Sequence, residues 1–139
     1  GVYEYFNNLF EHHFPGEDGT VRERIEKVNE LINKHEQEIA NPLLEYINSR
    51  DDIKLIGKNK IENKNRAPTI AFTMDNKSSK ELSSDLVKHG IATRNDNFYA
   101  WRCLKALGID VDDGVVRTSM VHYNTHEDVD NLINALKKI

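Results

Sequence analysis

The feature that most constrains this chain is a change of hydrophobic period near residue 50. Before it, Val21, Ile25, Val28, Ile32 and Ile39 recur at helical spacing from about Thr20, the mark of one apolar helix stripe. After it, PTIAFTM (68–74) alternates Ile70, Phe72 and Met74 with Thr69, Ala71 and Thr73. That two-residue period belongs to a strand buried on one face. A chain that spends its first third on helix and then turns to short strands must pack helix on sheet.

The remaining elements follow from punctuation and caps. Residues 2–14 predict a short helix with Tyr3, Phe6, Leu9 and Phe10 on one side, ended by the FPGEDG loop. Asn41-Pro42 interrupts the long helix. Pro42 there either kinks it or opens a second helix capped by Asn41. Leu43, Leu44, Tyr46 and Ile47 carry the stripe on to about Ser49. IKLIG (53–57) reads as a short strand and KNKIENKNR (58–66) as a solvated connection whose lysines, Lys64 among them, are diluted by Asn and Glu62. Ser78 and Glu81 have capping-box spacing ahead of Leu82, Leu86 and Val87, and Gly90 closes that helix. IATR (91–94) predicts a short strand, NFYAWRCLKALG (97–108) a helix and VVRTSMVHY (115–123) a strand. Thr125 and Asp128 repeat the capping spacing before a stripe of Val129, Leu132, Ile133 and Leu136. The order α-α-β-β-α-β-α-β-α predicts an α+β fold. Its sheet is small and mostly antiparallel, with helices on one face. Residues 1–139 form one domain, and residues 1–50 are a helical lead-in.

Bulk properties remove several function classes. The 139 residues carry a formal net charge of -4 with no obviously basic face, which argues against nucleic acid as a partner. Nothing reads as a membrane span or signal peptide. The single Cys103 allows no internal disulfide and fits a reducing cytoplasm. His122 and His126 are four apart but straddle a strand–helix junction, and the other histidines lack ligand spacing, so no metal site is expected. No P-loop, GxGxxG or nucleophile elbow is present. The chain opens on Gly1 and enters directly on VYEYFNNLF, which suggests a piece of a longer protein.

The candidate chemistry lies in two stretches. In VVRTSMVHY the alternation puts Val116, Thr118 and Met120 on one face and Arg117, Ser119 and Val121 on the other. Arg117 is a permanent cation that can grip a carboxylate through two parallel N–H bonds. Pattern alone leaves it open between a solvated strand arginine and a ligand arginine. Asn124 and Thr125 are explained as turn and cap. In GIATRNDNFYAWRC, Arg94 ends a strand, and Asn95, Asp96 and Asn97 form a polar loop of the kind that carries sites. The same loop is equally explained as a turn and helix cap. Phe98, Tyr99 and Trp101 read as core or interface aromatics, and Cys103 as an inert helix cysteine.

HGIATRNDNFYA, RAPTIAFTM and, above all, RTSMVHYNTHEDVD resemble the C-terminal small domain of class V aminotransferase-like enzymes, the cysteine desulfurase-like group of fold-type-I pyridoxal-phosphate (PLP) enzymes. The resemblance runs from the first helix to the end. It implies that Arg117 grips the α-carboxylate of an amino-acid substrate, that Arg94 stands at the edge of the same pocket, and that Asn97 and Tyr99 lie at its rim. It also implies that PLP is held mainly by a large domain of the same polypeptide, which supplies the Schiff-base lysine. On this reading residues 1–139 carry no catalytic residue, do not turn over substrate alone, and belong to a cytoplasmic homodimer. Where related desulfurases carry their persulfide cysteine, this chain has Tyr99. Cys103 comes four residues later, so sulfur transfer by that route lacks its thiolate. The parent reaction could then be racemisation, transamination or elimination. A module that binds a small molecule or dimerises without catalysis is the alternative.

Overall fold

A computed structural model of the chain describes residues 1–62 and 66–139. The elements are α1 (Val2–His13), α2 (Val21–Asn48), β1 (Ile53–Ile56), β2 (Thr69–Met74), α3 (Ser79–Lys88), β3 (Arg94–Asp96), α4 (Trp101–Ala106), β4 (Val115–Ser119) and α5 (His126–Leu136). The strands form one antiparallel sheet in the order β1-β2-β4-β3. This is the α+β architecture that the change of period predicts.

One face of the sheet makes the core. Ile70, Phe72 and Met74 of β2 and Val116 of β4 are buried against Leu43, Leu44 and Ile47 of α2, Leu82 and Leu86 of α3, and Leu132 and Leu136 of α5. Transferring such side chains out of water stabilises the fold by about 1.5–3 kcal/mol each. α1 packs separately, on the first half of α2, where Phe10 and Val28 are buried. The lead-in is therefore two things. Its first part is a helical hairpin, and its second supplies one wall of the core.

The capping spacings of Ser78 and Thr125 are realised, and α2 opens on a third such box at Thr20. Thr20, Ser78 and Thr125 each accept a hydrogen bond from the backbone N–H three residues on, and Glu23, Glu81 and Asp128 return one. Among the described residues no helix is long and apolar enough to cross a membrane.

Four local expectations are corrected. Pro42 does not open a new helix, since α2 runs continuously through it. The carbonyl that loses its partner is that of Glu38, which is exposed and can turn to water. Asn41 is not a cap. Its side-chain amide accepts from Ile61 N–H at 3.0 Å and donates to Ile61 C=O at 3.4 Å, pinning the connection that follows β1. The middle of that connection, residues 63–65 with Lys64, lies outside the described residues. The strand expected at 91–94 is displaced to Arg94–Asp96. Gly90, at φ 78°, closes α3 in a motif where Gly90 N–H donates to Val87 and Ile91 N–H to Leu86. That motif turns 91–93 toward α3, and Thr93 meets Ser83 at 3.0 Å instead of pairing with β4. The helix expected from residue 97 starts only at Trp101, because Phe98 and Tyr99 both hold positive φ. The last strand ends at Ser119, short of residue 123, where Asn124 accepts from Val121 N–H and forms a turn.

Two outcomes test this packing. Phe72→Ala should lower unfolding free energy by about 3–5 kcal/mol, read from urea denaturation. Asp85 receives Lys77 at 2.6 Å and Lys88 at 2.8 Å, and these two ammonium groups pull its pKa down to about 2. A lowered carboxylate pKa stabilises the fold above the ordinary carboxylate range, and that stability is lost as pH falls through the folded value. The stability difference between wild type and Asp85→Asn should be full above pH 4 and vanish toward pH 2.

Candidate functional site

The register of β4 decides where its arginine points. Ala71 of β2 and Arg94 of β3 are the cross-strand partners of Arg117, and Ile56 of β1 pairs with Ala71. Ile56, Ala71, Arg117 and Arg94 thus form one row across the sheet, on the face away from the core. Thr69 and Ser119 form the next row, their hydroxyls 3.3 Å apart. Arg117 is half-buried and Arg94 exposed.

Like charges directly opposite each other in an antiparallel pair repel. Here two guanidinium groups occupy such a pair, and among the described residues no carboxylate or carbonyl receives either one. Arg102 on α4 is also without such a partner, but the arginines nearer the core are spent within the fold. Arg50 is held by both oxygens of Asp52 and by Tyr46, which raises its pKa. Arg24 reaches Asn7 and the Gly19 carbonyl, and Arg66 two backbone carbonyls. The Arg117–Arg94 pair keeps its N–H donors free, at a cost in repulsion that a bound anion would relieve.

The contact that Arg117 does make is aromatic. Its guanidinium carbon lies 3.9 Å from the centroid of the Phe98 ring, well inside cation–π range. Phe98 (φ 50°) and Tyr99 (φ 61°) are consecutive non-glycine residues in the left-handed region. Such residues cost on the order of 1–3 kcal/mol each, more than the roughly 0.5–2 kcal/mol that one cation–π contact returns. Other bonds must hold the loop, and Asn97 makes them. Its side chain accepts from Tyr99 N–H at 3.0 Å and donates to Val111 C=O at 3.3 Å, and its carbonyl accepts from Ala100 N–H at 2.8 Å. Asn97 thus shapes the loop from within. Tyr99 projects from it fully exposed, and Cys103 is exposed on α4.

The base of the loop is anchored by Gly114, at φ 75°. A Cβ there would fall 2.3 Å from the backbone carbon of Asp96. Next to it, the Asp113 carboxylate accepts from Ser79 N–H at the start of α3, and Asn95 donates to the Ser79 hydroxyl at 3.2 Å. The turn at 110–114, α3 and β3 are locked together, and Arg94 and Phe98 sit at the two ends of the locked segment.

The arginines and the loop were singled out from the sequence. The stacking of Phe98 on Arg117 was not, because nothing in NDNFY announces positive φ on two residues that rarely adopt it. The histidines gather elsewhere. His35 lies 2.8 Å from the Asn124 carbonyl, His122 meets the Tyr5 hydroxyl, and with Leu9, Val28 and Ile32 they border a cavity of about 280 Å³ between α1 and α2. Among the described residues no group of three or more His, Cys, Asp or Glu is placed to hold a metal.

The family model described as Aminotransferase class-V matches residues 23–132. The chain belongs to that family. It is 37% identical over 113 residues to the aminotransferase-like protein FGM3 of Gibberella zeae, covering 79% of this chain and 28% of that protein. It is 31% identical over 109 residues to a probable cysteine desulfurase of Staphylococcus aureus, covering 78% of this chain and 25% of that protein. The chain therefore spans about a quarter of the length of these relatives. Its fold is that of part of the cysteine desulfurase CsdA from Escherichia coli, with a TM-score of 0.66 at 22% identity, over 88% of this chain and 31% of the other. A cysteine desulfurase from Thermococcus onnurineus aligns at TM-score 0.68 and 21% identity, over 88% of this chain and 32% of the other. In this class-V aminotransferase chain the matched span includes both arginines, the Asn97 loop and Gly114.

Gly114→Ala should be severe, because it places a methyl group against backbone in a conformation alanine avoids. A loss of about 3 kcal/mol or more is expected in urea denaturation. Ala106→Gly, in the exposed face of α4, should cost about 1 kcal/mol or less.

Proposed function

We propose that this chain is the small, substrate-binding domain of a PLP-dependent class-V aminotransferase-like enzyme, and that Arg117 binds the α-carboxylate of its amino-acid substrate. One observation carries the reading. Arg117 and Arg94 are cross-strand partners on the open side of the sheet, and among the described residues neither guanidinium has a hydrogen-bond or ion-pair partner. A carboxylate seated there satisfies both charges and accepts two parallel N–H bonds from one fork. Arg117, half-buried and central in the sheet, is the primary ligand. Arg94, exposed at the edge strand, contributes charge at the pocket's margin, and Asn97 and Tyr99 form the rim.

The residues around Arg117 suit the amino acid rather than the cofactor. The donors beside it are guanidinium and hydroxyl groups, and the nearest lysine in the sheet register, Lys54, is paired with Thr73 two strands away. In this proposal the cofactor's lysine and phosphate site come from a large domain of the same polypeptide. PLP, when bound, supplies an electron sink for bond breaking at the α carbon. What this chain contributes is binding and orientation. Fixing the carboxylate on a rigid strand sets which bond to the α carbon stands ready to break. With Tyr99 at the exposed tip of the loop and Cys103 on α4, no thiol of this chain lies in the arginine row.

The test is made in the longer enzyme that contains this domain. Arg117→Ala should raise KM for the amino acid by roughly 10- to 100-fold, the loss of a charge-assisted pair, and leave the visible absorbance of bound PLP unchanged. Arg94→Ala should have a smaller effect in the same direction. Unaltered kinetics in Arg117→Ala would sink the carboxylate role.

A further inference from the structure

The guanidinium of Arg117 is a planar donor, and all its N–H bonds lie in that plane. Its long side chain could present the plane in many directions. A fork that must meet a carboxylate edge-on gains affinity when its plane is set beforehand, because less freedom is lost on binding. Phe98 is placed to set it. The Arg117 guanidinium carbon lies over the ring, 3.9 Å from its centroid, and among the described residues no hydrogen bond occupies the N–H groups of that fork.

The ring is the fixed member of this pair. Phe98 is half-buried and lies outside the hydrophobic core, so packing in the core does not explain its position. Its backbone is held at φ 50°, with Tyr99 beside it at φ 61°. The Asn97 amide bridges Tyr99 and Val111, and Asp96 abuts Gly114 so closely that no Cβ fits between them. Strain of this kind persists where the surroundings over-determine it, and here the product of the strain is a ring laid on the arginine.

We propose that Phe98 is a positioning residue, which masks one face of the Arg117 guanidinium and thereby fixes the plane in which its N–H fork receives a carboxylate. The inference rests on the reading of Arg117 as a carboxylate ligand. It adds a geometric selection. A carboxylate approaches in the guanidinium plane from the Arg94 side, and a ligand that needs the covered face is excluded.

The test uses the 139-residue chain labelled with nitrogen-15, sodium propionate as probe, and the Arg117 Nε–Hε resonance, assigned with Arg117→Lys. In wild type that resonance should be shifted upfield by the ring, and propionate should perturb it together with the Arg94 signal. Phe98→Leu should return it to the range of exposed arginines and weaken propionate binding by roughly three- to tenfold. Phe98→Tyr should restore both the shift and the affinity, which a merely structural role would not require. If wild type binds propionate and Phe98→Leu binds it equally well, the positioning role is overturned while the carboxylate reading stands. An Arg117 signal identical in wild type and Phe98→Leu also overturns it. If wild type shows the ring shift but no response to propionate, the carboxylate reading has failed and the positioning role falls with it.

Discussion

The pairing of β4 between β2 and β3 is the constraint on which the rest depends. Side chains alternate along a strand, so a slip of one residue in this register would carry Arg117 into the core and Val116 out to water. Burying an unpaired guanidinium costs far more than one apolar side chain can return. Hence the packing of Phe72 and Val116 beneath the sheet and the display of Arg117 above it are a single choice of register. The core does not merely support the site. It selects the face on which the site appears.

The open face is electrostatically unfinished. Arg117 and Arg94 repel across the two strands, while elsewhere Arg50, Lys77 and Lys88 are satisfied by nearby carboxylates. The fold tolerates this because Arg94 is exposed and water screens its charge. Phe98 offsets part of the cost at Arg117. The loop that brings Phe98 there is held by the Asn97 amide and by the Asp96 carboxylate, which accepts from Asn97 N–H at 2.7 Å rather than from an arginine, so the donors of Arg117 are not consumed by the scaffold. A carboxylate in place of Asn97 would put a charge close to the arginine pair.

Much of this was legible beforehand, for physical reasons that differ by residue. Ile70, Phe72 and Met74 revealed the strand because alternation has no competing explanation. Ser78 and Thr125 revealed helix starts because an orphan N–H needs an acceptor at a set spacing. Arg117 was placed on its face by counting from Val116. Its role did not follow from the count, since a solvated arginine and a ligand arginine share one pattern. The segment 90–100 resisted prediction because its conformation is set by partners distant in sequence. Gly114 forces the position of Asp96, Val111 receives Asn97, and Ser83 draws Thr93 away from the sheet. Pro42 stays within α2 because the carbonyl it leaves without a partner, that of Glu38, belongs to an exposed residue.

α2 joins the two hydrophobic clusters as one piece. At 1.5 Å per residue its 28 residues make a rod of about 42 Å. Its first half is gripped by Phe10 of α1, and its second half forms the wall behind the sheet. α2 continues through Pro42, so a single helix spans both grips. Any displacement of α1 is transmitted mechanically to the sheet, so the orientation of the arginine row is geared to whatever holds the first helix in place.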